Sequence, residues 1–419
     1  MSTARRTAQQ KAAASGPLLP PQNIPDSLDI SYPKKLATQE ALGRILPQLA
    51  NLAGIGERIV TVAPDVAIST HLSGWVNKTG VFSPTQHPDY LEGIQRALRW
   101  QPNPQGQHIE LGISETNLFM LLGQLGLSYE HSGQLLFPIG TVYDPFICRG
   151  LDALIYGLYN HSKMIFVGTP SGVSLSPEGG AHQSTVTASL GIELPELNYY
   201  EPVFGREVEW LLLQALRDCC DRAEGHSTYL RLSTKKIDQT LLDVALERLG
   251  EDRLRQQVLA GGYRLHEGRE LVTDAREDEV VQIVTTGVMV PEALAAARAL
   301  AHEGVAANVI HLTSPKAIFS MYTDLRRSQS QGQPEPASAA HLRTLFPRSE
   351  RLAPIVTVQD ASAHSLAFLS GIYGVPSIAL GVDQFGQSGS IQELYQQVGI
   401  STHDIIAASY AALDLIQER

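Results

Sequence analysis

Four side chains in the first half of the chain have the types and spacing of acid–base chemistry on a flat ligand. Glu115 follows a short Gly-Ile-Ser run and opens an apolar helix, and a carboxyl group there can share a proton with a bound ring. Tyr143 and Phe146 come next along the chain, and aromatic rings of this kind stack on flat ligands. His182 follows Gly179-Gly180-Ala181, whose glycines allow a close backbone approach, and histidine changes charge near neutral pH.

Each of these residues also has an ordinary structural reading. A glutamate in the first turn of a helix is a common partner of the helix dipole. Tyr143 and Phe146 could pack in the core, and Asp144 and Arg149 could form an ion pair that fixes their loop. A single histidine is more often structural than catalytic, so the individual residues do not decide between the two readings.

Five stretches of the sequence resemble one enzyme family in order and in spacing. They are Val60-Thr61-Val62-Ala63-Pro64-Asp65, Leu111-Gly112-Ile113-Ser114-Glu115-Thr116-Asn117, Gly168-Thr169-Pro170-Ser171-Gly172-Val173, Glu178-Gly179-Gly180-Ala181-His182, and Asp383-Gln384-Phe385-Gly386-Gln387-Ser388-Gly389. Each stretch alone is a weak signal, but together they are strong. Over roughly residues 36–419 the chain resembles the thiamine diphosphate-dependent transketolases and the decarboxylating component of 2-oxoacid dehydrogenases, most of all the homodimeric pyruvate dehydrogenase type.

The resemblance implies a role for each candidate residue. Glu115 would bond to the aminopyrimidine ring of thiamine diphosphate and drive it to its imino form, which acts as an internal base. Tyr143 and Phe146 would stack on that ring, and Asp65 would lie near the cofactor at the end of its strand. His182 would contact the substrate and move protons, and His71, at the rim of the same pocket, would also contact the substrate.

The resemblance also implies that this chain contains half of a site. In the family, a separate domain binds the diphosphate and its Mg²⁺ through Gly-Asp-Gly followed by a pair of asparagines, and no stretch here matches it. We therefore expect that a partner subunit, or a longer parent chain, supplies that domain and holds the metal, while this chain provides no metal ligand. We expect a heterotetramer with two copies of each chain, which self-associates through the C-terminal domain.

The substrate class follows from one position in the resemblance. Transketolases usually carry an arginine for the sugar phosphate shortly after a strand like Tyr229-Leu230-Arg231-Leu232-Ser233, whereas Thr234 follows here. Because no arginine is present at this position to bind a phosphate with its planar guanidinium group, we expect a 2-oxo acid of the pyruvate type rather than a sugar phosphate. The chain would be a beta-type subunit that decarboxylates this acid and passes the acyl group to a lipoyl domain or another acyl-carrier protein. Half of a split transketolase, or of an acyl-transferring ketolase, is the first alternative. A non-catalytic partner subunit is the second, and the intact Glu115 and His182 argue against it.

Composition excludes several other classes of protein. The 419 residues are 43% hydrophobic and 18% charged, and the net charge of −11 argues against nucleic acid as a partner. Three cysteines, of which Cys219 and Cys220 are adjacent, favour a reducing compartment and hence the cytoplasm. No apolar run is long enough for a membrane span.

Short apolar strands alternate with amphipathic helices, which indicates an α/β protein with mainly parallel, doubly wound sheets. We expect two such domains, a pyrimidine-binding domain of the thiamine diphosphate-binding fold at 35–236 and a transketolase C-terminal-like domain at 279–419. Residues 1–34 are predicted to be a disordered tail and 237–278 a linker. The polar stretch 326–340 is predicted to be a surface loop.

Overall fold

A computed structural model of the chain describes residues 18–85, 93 and 102–417. Residues 1–17, half of the predicted tail, lie outside the described part of the chain. Within that part, no helix is both long enough and apolar enough to cross a membrane.

The larger sheet contains most strands of the first half of the chain. In chain order, the described strands up to residue 238, inside and outside this sheet, are Lys35–Leu36 (β1), Ile59–Ala63 (β2), Val81–Phe82 (β3), Pro102–Asn103 (β4), His108–Glu110 (β5), Phe137–Val142 (β6), Ile165–Gly168 (β7), Leu197–Tyr200 (β8), Ser227–Arg231 (β9) and Ile237–Asp238 (β10). Over the described residues, the sheet has the order β4-β3-β5-β2-β6-β7-β9-β8, and its pairings are parallel. Strands β1 and β10 form a separate antiparallel ribbon.

Helices connect these parallel strands. They are Thr38–Leu49 (α1), Ser73–Thr79 (α2), Glu115–Gly126 (α3), Ser128–Ser132 (α4), Leu151–Tyr159 (α5), Thr187–Glu193 (α6), Gly205–Cys220 (α7), Asp243–Leu249 (α8) and Glu251–Ala260 (α9). In α1 the apolar stripe is fully buried, with Leu42, Ile45, Leu46 and Leu49 all at 0% exposure.

Helices cover the larger sheet on both of its faces. Because side chains alternate along a strand, Ile165 and Val167 of β7 point to one face, where they pack in the same core cluster as Leu42 of α1. Phe166 points to the other face and packs in the cluster of Phe119 of α3. A parallel sheet buried on both sides requires the near-continuous apolar strands that the sequence has here.

The second sheet is smaller and mixed. Its strands are Tyr263–His266 (β11), Val280–Thr285 (β12), Ala306–His311 (β13), Ile355–Val358 (β14) and Ser377–Leu380 (β15), and its helices are Val290–His302 (α10), Pro315–Ser330 (α11), Ala340–Leu345 (α12), Ile391–Val398 (α13) and Thr402–Gln417 (α14). The order is β11-β13-β12-β14-β15, with β11 antiparallel to β13 and the other pairs parallel. Both of its faces are covered too, since Ile283 packs with Ala297 of α10 and Val284 with Ile318 of α11. The predicted α/β architecture is confirmed.

The predicted disordered tail is wrong for residues 18–34, which pack against α7. Ile24 is 2% exposed, and the Glu209 carboxylate accepts hydrogen bonds from Ser27 Oγ at 2.8 Å and Tyr32 OH at 2.7 Å. A polar, proline-containing composition indicates disorder only where no partner is present, and here α7 supplies a buried carboxylate as the partner.

Two other predicted irregular stretches contain regular structure. The stretch predicted as a linker, 237–278, holds β10, α8, α9 and the edge strand β11 of the second sheet. The predicted loop 326–340 is wrong at its start, because α11 continues to Ser330, and Ala337–Ala339 forms a 3-10 turn. Charged, solvent-facing helices have few apolar residues, so their periodicity is weak in the sequence.

Candidate active site

The candidate residues lie beyond the carboxyl ends of adjacent strands in the larger sheet. Strands β5, β2 and β6 are neighbours, and all run in the same direction. Asp65 follows β2, Glu115 follows β5 and Tyr143 follows β6 directly. Ligands of open parallel α/β sheets bind at this edge, so the topology brings together segments that are far apart in the sequence.

Glu115 is the first residue of α3 and is 7% exposed. Its Oε1 lies 2.9 Å from Nη1 of Arg149, whose side chain is 53% exposed. Gly150 permits this approach, because a Cβ there would lie 2.7 Å from the Glu115 carbonyl oxygen and 2.4 Å from the Phe119 ring. The acid is therefore held in a tight corner with a cationic partner that solvent can reach.

Tyr143 and Phe146 form an aromatic pair at the start of a 3-10 stretch, Asp144–Gly150. Their ring centroids are 6.1 Å apart and their planes differ by 12°. The Arg149 guanidinium lies 3.7 Å from the Phe146 centroid, a cation–π contact. Arg149 thus joins the Glu115 carboxylate to the aromatic pair.

His182 completes the cluster. Its ring lies edge-on to Tyr143 at 5.9 Å and to Phe146 at 5.4 Å. Its Nδ1 is buried and has no hydrogen-bond partner among the described residues, and an unpaired buried polar atom is costly unless a ligand pairs with it. A carboxyl group, an aromatic pair and an unpaired imidazole nitrogen fit a flat, nitrogen-containing ring such as the aminopyrimidine of thiamine diphosphate.

The loop after β2 places Asp65 beside a neighbouring cavity. Asp65 is exposed, adopts a φ of 63°, and its backbone N–H donates to Glu110 Oε1 at 2.6 Å. It lines a cavity of about 410 Å³ together with Ile68 and His108. The His108 side chain is buried and its Nδ1 lies 2.9 Å from the Thr61 hydroxyl. Asp65 therefore lies at the predicted edge of the sheet, with no direct contact to the aromatic pair among its described contacts.

His71 lies in different surroundings from His182. It is exposed, has a φ of 62°, and its carbonyl oxygen would be 2.8 Å from a Cβ on Gly43. It lines a separate cavity of about 500 Å³ with Arg44 and Lys236. The structure does not place His71 with the aromatic pair, so its predicted substrate contact has no support in the geometry.

Asp144 does not pair with Arg149, which corrects one alternative drawn from the sequence. Its fully buried carboxylate lies 3.0 Å from Nε of Arg231 and accepts a hydrogen bond from the Tyr229 hydroxyl. Burial, then the negative charge of Asp144, raises the pKa of Tyr229 well above its usual value. Burial alone would lower the pKa of Arg231, but the carboxylates of Glu201 and Asp144 raise it well above its usual value.

Sequence-based reasoning gave Arg149 the wrong partner and gave Arg231 no role in the site. Arg149 follows Phe146 within one 3-10 stretch, and Arg231 ends β9, but their partners are fixed only by the folded sheet. Spacing in the sequence held no signal for either pairing, since Glu115 and Asp144 lie on other elements.

Two of the stretches that carried the resemblance, 178–182 and 383–389, meet in space. Gly180, two residues before His182, lies so close to the final stretch that a Cβ would be 2.3 Å from the Gly386 carbonyl oxygen. Gln183 Nε2 donates to the Gln387 carbonyl at 3.0 Å. Among the described residues, no group of three or more His, Cys, Asp or Glu side chains could hold a metal ion.

Two parts of the chain match models of known protein families. Residues 26–238, half of the chain, match the model of the pyruvate dehydrogenase E1 component middle domain. Residues 261–401 match the transketolase-like TK C-terminal domain.

Curated relatives are longer than this chain. The pyruvate dehydrogenase E1 component of Pseudomonas aeruginosa is 21% identical over 97% of this chain and 45% of its own length. The chromosomal transketolase of Cupriavidus necator is 25% identical over 74% of this chain and 39% of its own. The chain thus spans less than half the length of these relatives.

Solved structures show the same fold. The transketolase from Leishmania mexicana has a TM-score of 0.66 and 17% identity, covering 92% of this chain and 47% of that one. A split-gene transketolase, described as an inactive beta4 tetramer, has a TM-score of 0.58 and 19% identity, and covers 91% of this chain and 99% of that one. The fold and the family match over residues 26–238 lead to one conclusion: the chain belongs to the family of the pyruvate dehydrogenase E1 component and transketolase.

Proposed function

We propose that this chain is the beta-type, pyrimidine-binding subunit of a thiamine diphosphate-dependent 2-oxoacid dehydrogenase. The observation that carries the proposal is the contiguous cluster in which Arg149 joins the buried Glu115 carboxylate to Phe146, and in which the rings of Tyr143 and His182 contact the Phe146 ring. His182 Nδ1 in this cluster is buried and unpaired among the described residues. A chain of this family with acid, aromatic pair and histidine in contact has the groups that the cofactor ring needs.

The chain's own residues would divide the work. When bound, thiamine diphosphate would supply the carbanion chemistry that side chains cannot provide. Glu115 would hold the ring through a shared proton on its carboxyl oxygen, and Tyr143 and Phe146 would support the flat ring. His182 would use Nδ1 to bind the substrate oxygen and move its proton. Because Arg149 is 53% exposed, moving its guanidinium off Phe146 costs little.

The surroundings of Thr234 support a 2-oxo acid rather than a sugar phosphate. Thr234 is exposed at the position where transketolases usually carry arginine. Lys235 Nζ is bound by Glu292 at 2.8 Å, and Lys236 lies 3.1 Å from Glu40. Both lysines are thus engaged by carboxylates. The match of residues 26–238 to the pyruvate dehydrogenase middle domain supports the same choice.

The proposal includes partners and a location. A second subunit would bind the diphosphate and Mg²⁺, and two copies of each chain would form the enzyme, associated through the domain of the second sheet. The acyl group would pass to a lipoyl domain or another acyl carrier. We place the enzyme in the cytoplasm, because the cysteines Cys148, Cys219 and Cys220 are all free and suit a reducing compartment.

Half of a split transketolase is the second candidate. The observation that favours it is the split-gene transketolase, 99% of whose chain is covered by this one, whereas the other relatives extend well beyond it. Both candidates share the proposed site and the need for a partner, and they differ in the substrate.

Purification from the native host, followed by a substrate test, decides between the candidates. The tagged chain is isolated, the copurifying chain is identified, and the complex is loaded with thiamine diphosphate and Mg²⁺. We expect pyruvate or a related 2-oxo acid to form a covalent cofactor adduct, detected after acid quench. A faster reaction with xylulose 5-phosphate would favour the split transketolase. Tight, Mg²⁺-dependent cofactor binding by this chain alone in calorimetry would contradict the half-site.

A further inference from the structure

The carboxylate of Asp144 is a buried junction between four side chains. Asp144 is 0% exposed. It accepts hydrogen bonds from Thr187 Oγ1 at 2.6 Å and Arg231 Nε at 3.0 Å, and from the hydroxyls of Ser184 and Tyr229. A charge buried this deeply requires such a complete set of partners, so its surroundings are fixed closely.

This junction ties together the two loops of the candidate site. Asp144 lies between Tyr143 and Phe146 in the chain, and Ser184 lies two residues after His182. The bond from the Ser184 hydroxyl to the Asp144 carboxylate therefore sets how the aromatic loop lies against the histidine loop. A shift at this bond changes the contacts between the Phe146 and His182 rings, whose centroids are 5.4 Å apart.

Arg231 extends the junction to the domain of the second sheet. Its Nη2 donates to the Asp360 carbonyl oxygen at 2.9 Å, and its Nη1 lies 3.2 Å from Glu201 Oε2. The same Glu201 oxygen accepts from Thr286 Oγ1 at 3.2 Å. Arg231 thus binds a carboxylate of the site loop and a backbone oxygen of the second domain at the same time.

Stability alone is a weak reason for this arrangement. Buried ion pairs often stabilise a fold no better than apolar side chains of similar size, although removal of one partner is strongly destabilising. Their better-supported use is to specify one geometry among several. Here the specified geometry is that of the loops carrying Tyr143, Phe146 and His182.

We propose that Asp144 and Arg231 are positioning residues, which hold the aromatic loop and the His182 loop in register and make that register depend on docking of the second domain. The relevance to catalysis rests on the proposed function, whereas the mechanical link is a property of this chain alone. Asp144 and Arg231 touch neither cofactor nor substrate in this account, and act through the residues next to them.

Cys148 provides a reporter of the aromatic loop. It is the exposed cysteine of the Asp144–Gly150 stretch, while Cys219 and Cys220 are buried in α7. N-ethylmaleimide modification of the full chain, followed by peptide mapping, gives a rate for each cysteine. Burial, then the Asp144 charge, raises the pKa of Cys148. Without the Arg231 charge, the negative charge of Asp144 would disfavour the Cys148 thiolate more strongly, and this effect alone would slow the reaction with N-ethylmaleimide. A faster reaction therefore reports that the aromatic loop has loosened.

The test compares Arg231→Met with Arg264→Met. Arg264 is a matched control, since it is 7% exposed against 4% for Arg231, and its guanidinium is likewise held by two carboxylates, those of Glu267 and Glu350. We expect Arg231→Met to raise the Cys148 rate about tenfold or more by local opening, with Cys219 still protected. Arg264→Met should leave the Cys148 rate unchanged. Equal Cys148 rates in wild type and Arg231→Met would overturn the proposal.

Arg231→Lys covers the case in which the methionine variant does not fold. It keeps the charge but loses the fork that reaches Asp144, Glu201 and Asp360 together. In the reconstituted enzyme we expect kcat to fall about 100-fold from misplacement of catalytic groups, with KM for the 2-oxo acid nearly unchanged. Wild-type kcat in Arg231→Lys would overturn the positioning role. A wild-type complex without thiamine diphosphate-dependent activity would overturn the proposed function instead, and the maleimide rates would still decide the mechanical link.

Discussion

Glu115 and Arg149 form an ion pair of 2.9 Å between a buried acid and a half-exposed base. The pair lies at the junction of α3 and the 3-10 stretch that carries Phe146, and the same guanidinium covers that ring at 3.7 Å. Surface-accessible pairs of this kind contribute little to stability. Glu115 is thus held in a defined place by a partner that a ligand can displace at low cost.

His182→Ala tests the role of the unpaired imidazole. Because Nδ1 has no partner among the described residues, its removal leaves no protein group unsatisfied. We expect the free energy of unfolding to change by less than about 1 kcal/mol and kcat to fall about 100- to 10,000-fold, with cofactor deprotonation nearly normal. His161→Ala, at an exposed histidine beside Glu196, is the control. Near-wild-type kcat in His182→Ala would remove this residue from the site.

Lys316→Arg tests the docking of the two domains through stability at alkaline pH. Lys316 is the second residue of α11. It donates from Nζ to the carbonyl oxygens of Ile192, at 3.3 Å, and Leu194 at the end of α6. Burial lowers its pKa from 10.5 to about 8. Between these values the unfolded chain binds more protons than the folded one, so stability rises with pH.

Arginine keeps the donors and stays charged, so Lys316→Arg should lack this rise. We expect the difference in unfolding free energy, wild type minus Lys316→Arg, to increase between pH 8 and pH 10.5 in urea titrations. A difference independent of pH would show that Lys316 is solvated and that α11 does not dock on α6.

Limited proteolysis tests the proposed division into two domains. The segments 271–279 and 331–336 lack long helices or strands and are largely exposed, with Leu271 at 53%. We expect the first cuts within the described residues to fall there, and mass spectrometry of the fragments locates them. First cuts inside 110–200 would contradict the division.

The strands that could be predicted from the sequence are those buried on both faces. Ile59–Ala63 and Val280–Thr285 are such strands, because a short, mostly apolar run between turn signals has few interpretations other than a buried strand. By contrast, α9 within 237–278 buries only Leu254, Gln257 and Val258. Because one of these three buried residues is polar, the apolar periodicity of this helix is weak in the sequence. Packing against neighbours decides such elements, and the sequence does not show which neighbours are present.

Part of the candidate site could be predicted from the sequence, and the rest depends on contacts that only the folded chain has. Glu115, Tyr143, Phe146 and His182 were recognisable because their types and order match a family pattern, and the fold brings them together. Asp65 and His71 share that pattern but line other cavities. The pairing of Arg149 depends on the turn between Phe146 and Gly150, a three-dimensional property without a sequence signal.

Glu115→Gln tests whether the Glu115 carboxyl group activates the cofactor. The measurement is hydrogen–deuterium exchange at the thiazolium carbon of thiamine diphosphate in the reconstituted enzyme. The amide keeps the shape of the side chain and removes its acidic proton, and the partner Arg149 is half exposed, so stability should change by less than about 1 kcal/mol. Glu130→Gln, which breaks an ion pair with Arg222 in which the acid is the more exposed partner, at 41% against 11% for the arginine, is the control. We expect exchange to slow about 100- to 10,000-fold in Glu115→Gln and to stay normal in Glu130→Gln. A wild-type exchange rate in Glu115→Gln would show that this glutamate is only a charge at a helix terminus and that the site lies elsewhere.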